Sequence, residues 1–257
     1  MNLITNLYNY RELLKSNVKK EIRGKYKGSF LGILWSFINP LLQVAVYAIV
    51  FPYIMRIKTD NYLQYLIIGI IPWTFFVTVI NQGMITVRMN AGIIKKVYFP
   101  REILPISVAF SGLVNFFISC IIILLFCIFG GIGISWHIIL LPIIALLQFF
   151  ITLGIVLALS AINIYVKDTE YIVQFLINML FYATPILYPT TLFPERVRWI
   201  LCVNPLTELI EAYRDIFMYH QLPSLLPTLY LLGITIVVFF IGLLIFRKLE
   251  KGFAEEI

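Results

Sequence analysis

Side chains that could transfer protons, hold a metal or attack a substrate are scarce in this chain, and they are scattered. Of 257 residues only 13 are Asp or Glu, two are His (His137 and His220) and three are Cys. Divalent-ion chemistry needs several carboxylates or histidines converging on one point. Glu12, Glu21, Glu102 and the near neighbours Asp168 and Glu170 are widely scattered, and Glu250, Glu255 and Glu256 fall in the last eight residues. No catalytic residue and no metal site is therefore assigned. A G-x-x-x-x-G-K-[ST] phosphate loop is absent, so ATP is not held by that route. Cys120 and Cys127 lie about two turns apart on one apolar run and Cys202 is remote, so no disulfide is expected.

What remains is binding chemistry without charge, plus one basic segment. Trp35, Asn39, Gln43 and Tyr47 recur every four residues, a spacing that drifts only about 40° per step on an α-helix. Tyr171, Gln174, Asn178, Phe181 and Tyr182 share one broad helical face. Aromatic rings and neutral amides on one face suit a neutral hydrogen-bonding ligand, although amides also join helices to one another in lipid and aromatics collect at membrane interfaces. The basic segment, AGIIKKVYFPREILPIS (91–107), carries Ile93, Ile94, Val97 and Tyr98 on an apolar face and Lys95 and Lys96 on a charged one, with Pro100 as its stop. The spacing predicts a helix of eight residues over 91–98.

The elements that must position these residues follow from where charge is missing. Hydrophobic residues make up 61% of the chain and charged ones 13%, with mean hydropathy +0.93, well below the quarter charged of a soluble domain. Asp, Glu, Lys and Arg are absent from 28–55, 61–87, 103–166, 171–194 and 216–246. About 20 apolar residues cross the hydrocarbon core, and the third run divides at the glycine-rich turn 130–135. Six transmembrane helices are predicted, near 29–51, 62–85, 104–129, 138–164, 171–188 and 225–246. Membrane β-barrels are excluded, because their strands alternate polar and apolar. With both termini inside, 15 of the 20 Lys and Arg lie on inner segments and 5 on outer ones, which sets the termini and residues 86–102 in the cytoplasm. The opening segment has no cleavable leader pattern. Instead Leu7, Leu14, Val18, Ile22 and Tyr26 oppose Arg11, Lys15, Lys19, Lys20 and Arg23, the pattern of a basic amphipathic helix on the inner interface. The pI near 9.3 reflects anionic lipid rather than nucleic acid. None of the predicted spans holds an ionisable group for coupling to protons or sodium. A transport machine with neither an ion site nor a nucleotide site must draw its energy from another subunit, and residues 91–98 are the expected point of contact.

Four stretches, RGKYKGSFLGILWSFINPLLQ (23–43), NAGIIKKVYFPREILP (90–105), IYVKDTEYIVQFLINMLFYATPILYP (164–189) and the pair Asn204-Pro205 with Tyr213-Arg214, resemble the membrane subunit of ABC-2-type polysaccharide exporters, which export O-antigen, teichoic acid or capsule chains. The resemblance covers almost the whole chain. It implies one transmembrane domain over 1–257: an interface helix to residue 28, five spans over 29–188, an outer gate segment 189–224, a sixth span and a cytoplasmic tail. It further implies a homodimer, two separate ATP-binding subunits that carry ATP and Mg, a coupling helix in the 91–98 loop and a lipid-linked polysaccharide as cargo in the bacterial inner membrane. The family often has Arg-Asp where this chain has Lys167-Asp168, which keeps the charge.

For such a cargo the two aromatic and amide stripes become the expected channel lining, and a dimer is needed because six helices do not readily enclose a polymer. In 189–224 two helices too short to span are predicted, one begun by Pro194 and one by the Asn204-Pro205 cap pair. The second sets Leu206, Leu209, Ile210, Tyr213, Ile216 and Phe217 against Glu208, Glu211 and Asp215. By the resemblance these two helices form an outer gate, with Trp199, Leu209, Tyr213 and Arg214 as its residues. Asp168 and Glu170 are expected to serve the positive end of the fifth helix. An ABC-2 exporter of a drug or small lipid would share this topology, whereas a membrane-embedded polyprenol glycosyl or phosphosugar transferase lacks its clustered carboxylates here.

Overall fold

Lipid supplies no hydrogen bonds, so an apolar run must satisfy its own backbone, and the runs of this chain do so as α-helices. The computed structural model describes residues 3–24, 28, 30–55 and 60–256, and among these there is no strand. Tyr26 of the interface helix, Lys25, Lys27 and Ser29 of the first motif, and Arg56 and Lys58 of the first outer segment lie outside them. Twelve helices follow in order: α1 (Leu3–Asn9), α2 (Arg11–Gly24), α3 (Trp35–Met55), α4 (Tyr62–Met89), α5 (Ala91–Ile94), α6 (Ile103–Phe129), α7 (Leu141–Tyr165), α8 (Thr169–Ala183), α9 (Glu195–Val203), α10 (Pro205–Arg214), α11 (Leu225–Leu249) and α12 (Phe253–Glu256). Four are long and apolar enough to cross a membrane: α4, α6, α7 with its leading turn from Trp136, and α11 with its trailing turn to Gly252. The apolar stretch of α3, Phe37–Tyr53, is shorter, and Pro40 and Pro52 lie inside that helix.

The α4 helix is the hub. It is buried along most of its length, whereas the apolar middles of α6 and α11 are buried at only 22% and 28% of their positions. Its neighbours are α6 and α7 above all, then α3, while α11 packs chiefly on α7. The turn after α6 needs Gly131 and Gly133, whose φ of 79° and 80° are ones that side-chain-bearing residues rarely adopt.

Two predicted elements are corrected. The interface helix is broken near Tyr10 into α1 and α2. Arg11, Lys15, Lys19, Lys20 and Arg23 are exposed, as the periodicity requires, while Leu14, Val18 and Ile22 are half-buried. The fifth predicted span, 171–188, stops as a helix at Ala183. Pro185 lacks an N–H and forces Thr184 into an extended conformation, with φ −104° and ψ 132°. Residues 184–187 then run as buried non-helical backbone.

Candidate functional site

Buried non-helical backbone at one end of a bundle must find donors, and here they come from two helices, α4 and α10. Tyr62 donates through its Oη to the Leu187 carbonyl at 2.7 Å, and Tyr65 Oη to the Tyr188 carbonyl at 2.9 Å. Arg214, fully buried, donates through Nη1 to the Pro185 carbonyl at 2.8 Å and through Nη2 to the Ile186 carbonyl at 3.0 Å. Its Nη1 also meets Glu211 Oε1 at 2.7 Å, and its guanidinium lies 3.4 Å from the centre of the Tyr65 ring. Asn204 caps α10, accepting from the Leu206 N–H at 3.0 Å, and donates through its amide to Thr184 Oγ1 at 2.9 Å.

The outer segment therefore holds the two short helices expected of it. The second runs over 205–219, its last five residues wound as π-helix. Its apolar face, Leu206, Leu209, Ile210, Tyr213, Ile216 and Phe217, is buried throughout. Tyr213 Oη donates to Gln148 Oε1 at 2.8 Å, and Gln148 Nε2 donates to the Pro72 carbonyl at 2.8 Å, a buried chain from α10 through α7 to α4. Leu209, Tyr213 and Arg214 thus anchor the outer segment to the bundle, and of the four expected gate residues only Trp199 is exposed. On the opposite face burial raises the carboxyl pKa of Glu208 and of Asp215, and the neighbouring Glu211 carboxylate adds to both.

The two stripes part company. On α8 only Thr169, Val173, Ile177 and Phe181 are buried. Phe181 turns inward against Tyr47 and Trp73, while Tyr171, Gln174, Asn178 and Tyr182 face outward. On α3, Gln43 donates to Tyr47 Oη at 3.1 Å, near the outer end of α8. Trp35 and Asn39 line a separate cleft of about 390 Å³ between α3, α4 and α6. Thr74, Thr78, Gln82, Asn115 and Ser119 complete its polar lining, Ser119 donating to the Asn115 carbonyl at 2.9 Å. The sequence reading passed over these five. The signal was present, since Thr74, Thr78 and Gln82 follow one another at steps of four in the second span.

At the opposite end of the bundle the helix expected over 91–98 is a single turn, Ala91–Ile94. Lys95 and Lys96 are exposed, and Tyr98 is 91% exposed, with Ile93 and Val97 about half so. Ile94 is only 8% exposed and belongs to the core. The loop is held from two sides, and a third bond ties α7 to α11 beside it. Asn6 Nδ2 donates to the buried Glu102 Oε1 at 2.9 Å, tying α1 to α6. Arg101 donates to the Glu250 carbonyl and lies over the Phe253 ring at 5.6 Å. Tyr165 Oη donates to the Leu249 carbonyl at 2.7 Å. Burial raises the carboxyl pKa of Glu250, and the nearby Glu102 carboxylate adds to it. Glu170 sits in the first turn of α8 as expected, but its partners are the Arg88 guanidinium and, at 3.2 Å, the Asn163 amide. Asp168 stands at the N-cap without a side-chain bond. No group of acidic, histidine or cysteine residues able to hold a metal occurs among the described residues.

Residues 12–218 match the ABC-2 type transporter family, and the chain belongs to it. The chain is 36% identical over 257 residues to the O-antigen export system permease protein RfbA of Myxococcus xanthus, covering 99% of each chain. It is equally 36% identical to the protein of the same name from Klebsiella pneumoniae, over 95% of this chain and 94% of that one. The polysialic acid transport protein KpsM of Escherichia coli is 25% identical over 91% of this chain and 92% of its own length.

Proposed function

We propose that the chain is the membrane subunit through which an ATP-driven exporter passes a lipid-linked polysaccharide, O-antigen foremost and teichoic acid next, out of the cytoplasm across the bacterial inner membrane. The observation that carries this reading is the end-to-end match at 36% identity to O-antigen export permeases. Long runs without fixed charge support it, because a neutral polymer slides past amides and rings but a charged wall would hold some residues too tightly.

Six crossings with both termini cytoplasmic fit the helices if α8 is counted with the non-helical residues after it. Its 15 residues reach about 22 Å, which leaves about 8 Å of a core of about 30 Å to the turn and bend at 184–188. Because α8 buries so narrow a stripe, its remaining surface calls for a partner, and a second copy of the chain is the natural one. The two copies then face each other through α3 and α8, with Tyr47, Tyr171, Gln174, Asn178 and Tyr182 toward the conduit. Above it, α9 and α10 act as the outer gate, with Trp199 as its free side chain. Two ATP-binding subunits carry the nucleotide and Mg, so this subunit alone hydrolyses no ATP.

Those subunits dock on the loop after α5. Ile93, Val97 and Tyr98 are apolar side chains exposed beside Lys95 and Lys96, an arrangement that asks for a cleft with an acidic rim. Burying a tyrosine contributes about 1.5–3 kcal/mol, whereas an exposed ion pair contributes about 0–1 kcal/mol. Tyr98→Ala is therefore expected to weaken partner binding by roughly ten- to a hundredfold. The double change Lys95→Ala/Lys96→Ala should weaken it by no more than about thirtyfold and by less than the tyrosine change, as read by titrating labelled ATP-binding subunit onto the reconstituted permease. A silent tyrosine beside a disruptive lysine pair would mean that the contact is electrostatic.

The function itself is tested by supplying the chain with its ATP-binding subunit to a bacterium deleted for its own O-antigen permease. Surface glycan should return. Raised drug tolerance without surface glycan would instead identify an exporter of small molecules.

A further inference from the structure

The cleft between α3, α4 and α6 is lined by Trp35 and Asn39 of the α3 stripe and takes no lining from α8. Asn39, Thr74, Thr78, Gln82 and Asn115 bring three amides and two hydroxyls to it, and none of these side chains has a hydrogen-bond partner among the described residues. Neither a carboxylate nor a cation lines it. Its walls are aromatic, with Trp35 at the mouth and Phe75 behind. Leaving neutral polar groups unpaired at membrane depth is costly, and acyl chains offer them nothing. Whatever occupies the cleft must both donate and accept hydrogen bonds, carry no charge, and present C–H groups to the negative face of a ring. A sugar residue has all three properties, and a volume near 390 Å³ falls in the range of small-molecule sites.

The polar residues also form a track. On α4 and its C-cap, Thr86 and Asn90 continue the step of four from Thr74, Thr78 and Gln82 toward the cytoplasm, a row about 24 Å long that winds about 160° around the helix. A second cleft of about 380 Å³, lined by Lys20, Glu21, Thr86 and Asn90, shares Gln82 with the first. Lys20 Nζ reaches Asn90 Oδ1 at 3.5 Å at its open end. The row thus begins between the interface helix and α4 and ends near mid-membrane against Asn115.

We propose that each subunit holds an uncharged sugar residue of the exported glycan in this cleft, entering along the α4 row from the inner interface. The site is a holding position inside one subunit, beside the conduit that two subunits would share; its cargo rests on the exporter reading above, but its chemistry does not.

The test uses the full-length permease with its ATP-binding subunit in lipid nanodiscs. Two probes carry the same diazirine-bearing alkyl chain, one on glucose with free hydroxyls and one on the fully O-methylated sugar. The glucoside should label peptides of α3, α4 and α6 at least tenfold more than its methylated counterpart. Thr78→Val/Asn115→Leu, which keeps volume but removes the hydrogen-bonding groups, should abolish that difference while leaving binding of the ATP-binding subunit intact. Equal labelling by the two probes would overturn the proposal, because it would mean that the cleft simply takes lipid. So would selective labelling that persists in the double variant, or that maps to α8. The probe comparison on the unaltered protein needs no variant to fold. A permease that selects the glucoside in the cleft yet restores no surface glycan would keep the sugar site and lose the exporter reading.

Discussion

Arg214→Met is expected to lower the melting temperature of the solubilised permease by roughly 6–20 °C, the largest effect of any single change at the outer end of the bundle. Methionine keeps the volume and removes all five donors. The Pro185 and Ile186 carbonyls then lose their partners in a buried place, at about 1–3 kcal/mol each. Glu211 loses its cation and the Tyr65 ring its guanidinium. Removing one member of a buried charged network costs about 3–5 kcal/mol. Lysine should not rescue, since one ammonium cannot reproduce the fork that reaches two carbonyls and a carboxylate together. Glu211→Gln, at a partly exposed position, should cost less than half as much. The measurement is the thermal loss of the monodisperse peak in detergent for the four proteins. A wild-type melting curve for Arg214→Met would show that the segment after α8 needs no internal donor, and the account of the outer anchor would be wrong.

The second large effect is set by backbone contact. A Cβ on Gly242 would lie 1.9 Å from the Gly154 carbonyl oxygen, and one on Gly154 would lie 2.6 Å from the Phe239 Cα. These glycines let α7 and α11, the most extensively packed helix pair, touch backbone to backbone. Lipid is as apolar as the side chains it replaces, so close packing rather than water exclusion holds such helices together. Gly242→Ala should therefore destabilise by about 3 kcal/mol, the upper end for overpacking, because neither backbone can step aside without moving a whole helix. Gly233 supplies the control on the same helix. Nothing lies within 4 Å of its Cβ position, so Gly233→Ala should be neutral or stabilising by about 0.5–1 kcal/mol through the helix propensity of alanine. The same substitution nine residues apart is thus expected to act in opposite directions. If both alanines melt alike, the α7–α11 approach is looser than described.

Much of this protein is legible in the order of its residues. The starts of α4 and α6 follow the edges of the charge-free runs, because a lone charge in hydrocarbon is expensive enough to mark a boundary. The Asn204-Pro205 cap and the Pro194 start fall where predicted, because capping is a matter of adjacent atoms. The stop in α8 was also written locally, in Thr184-Pro185; the charge-free run simply outlasted the helix, and a charge-based reading went past it.

Which face of each helix meets protein was decided only by the tertiary structure. In a soluble protein the apolar stripe of a helix points to the core. In lipid both sides are apolar, and the stripe loses its meaning. Hence Phe181 shares a face with Asn178 by spacing yet turns against Tyr47 and Trp73, and Ile94 leaves its neighbours Ile93 and Val97 to enter the core. By the resemblance Arg214 reads as a residue of an outer gate. Only the fold brings it to two carbonyls freed by a proline 29 residues earlier. The cleft of Asn39, Thr78 and Asn115 is likewise a meeting of three helices, and periodicity within one helix carries no information about what the next will bring to it.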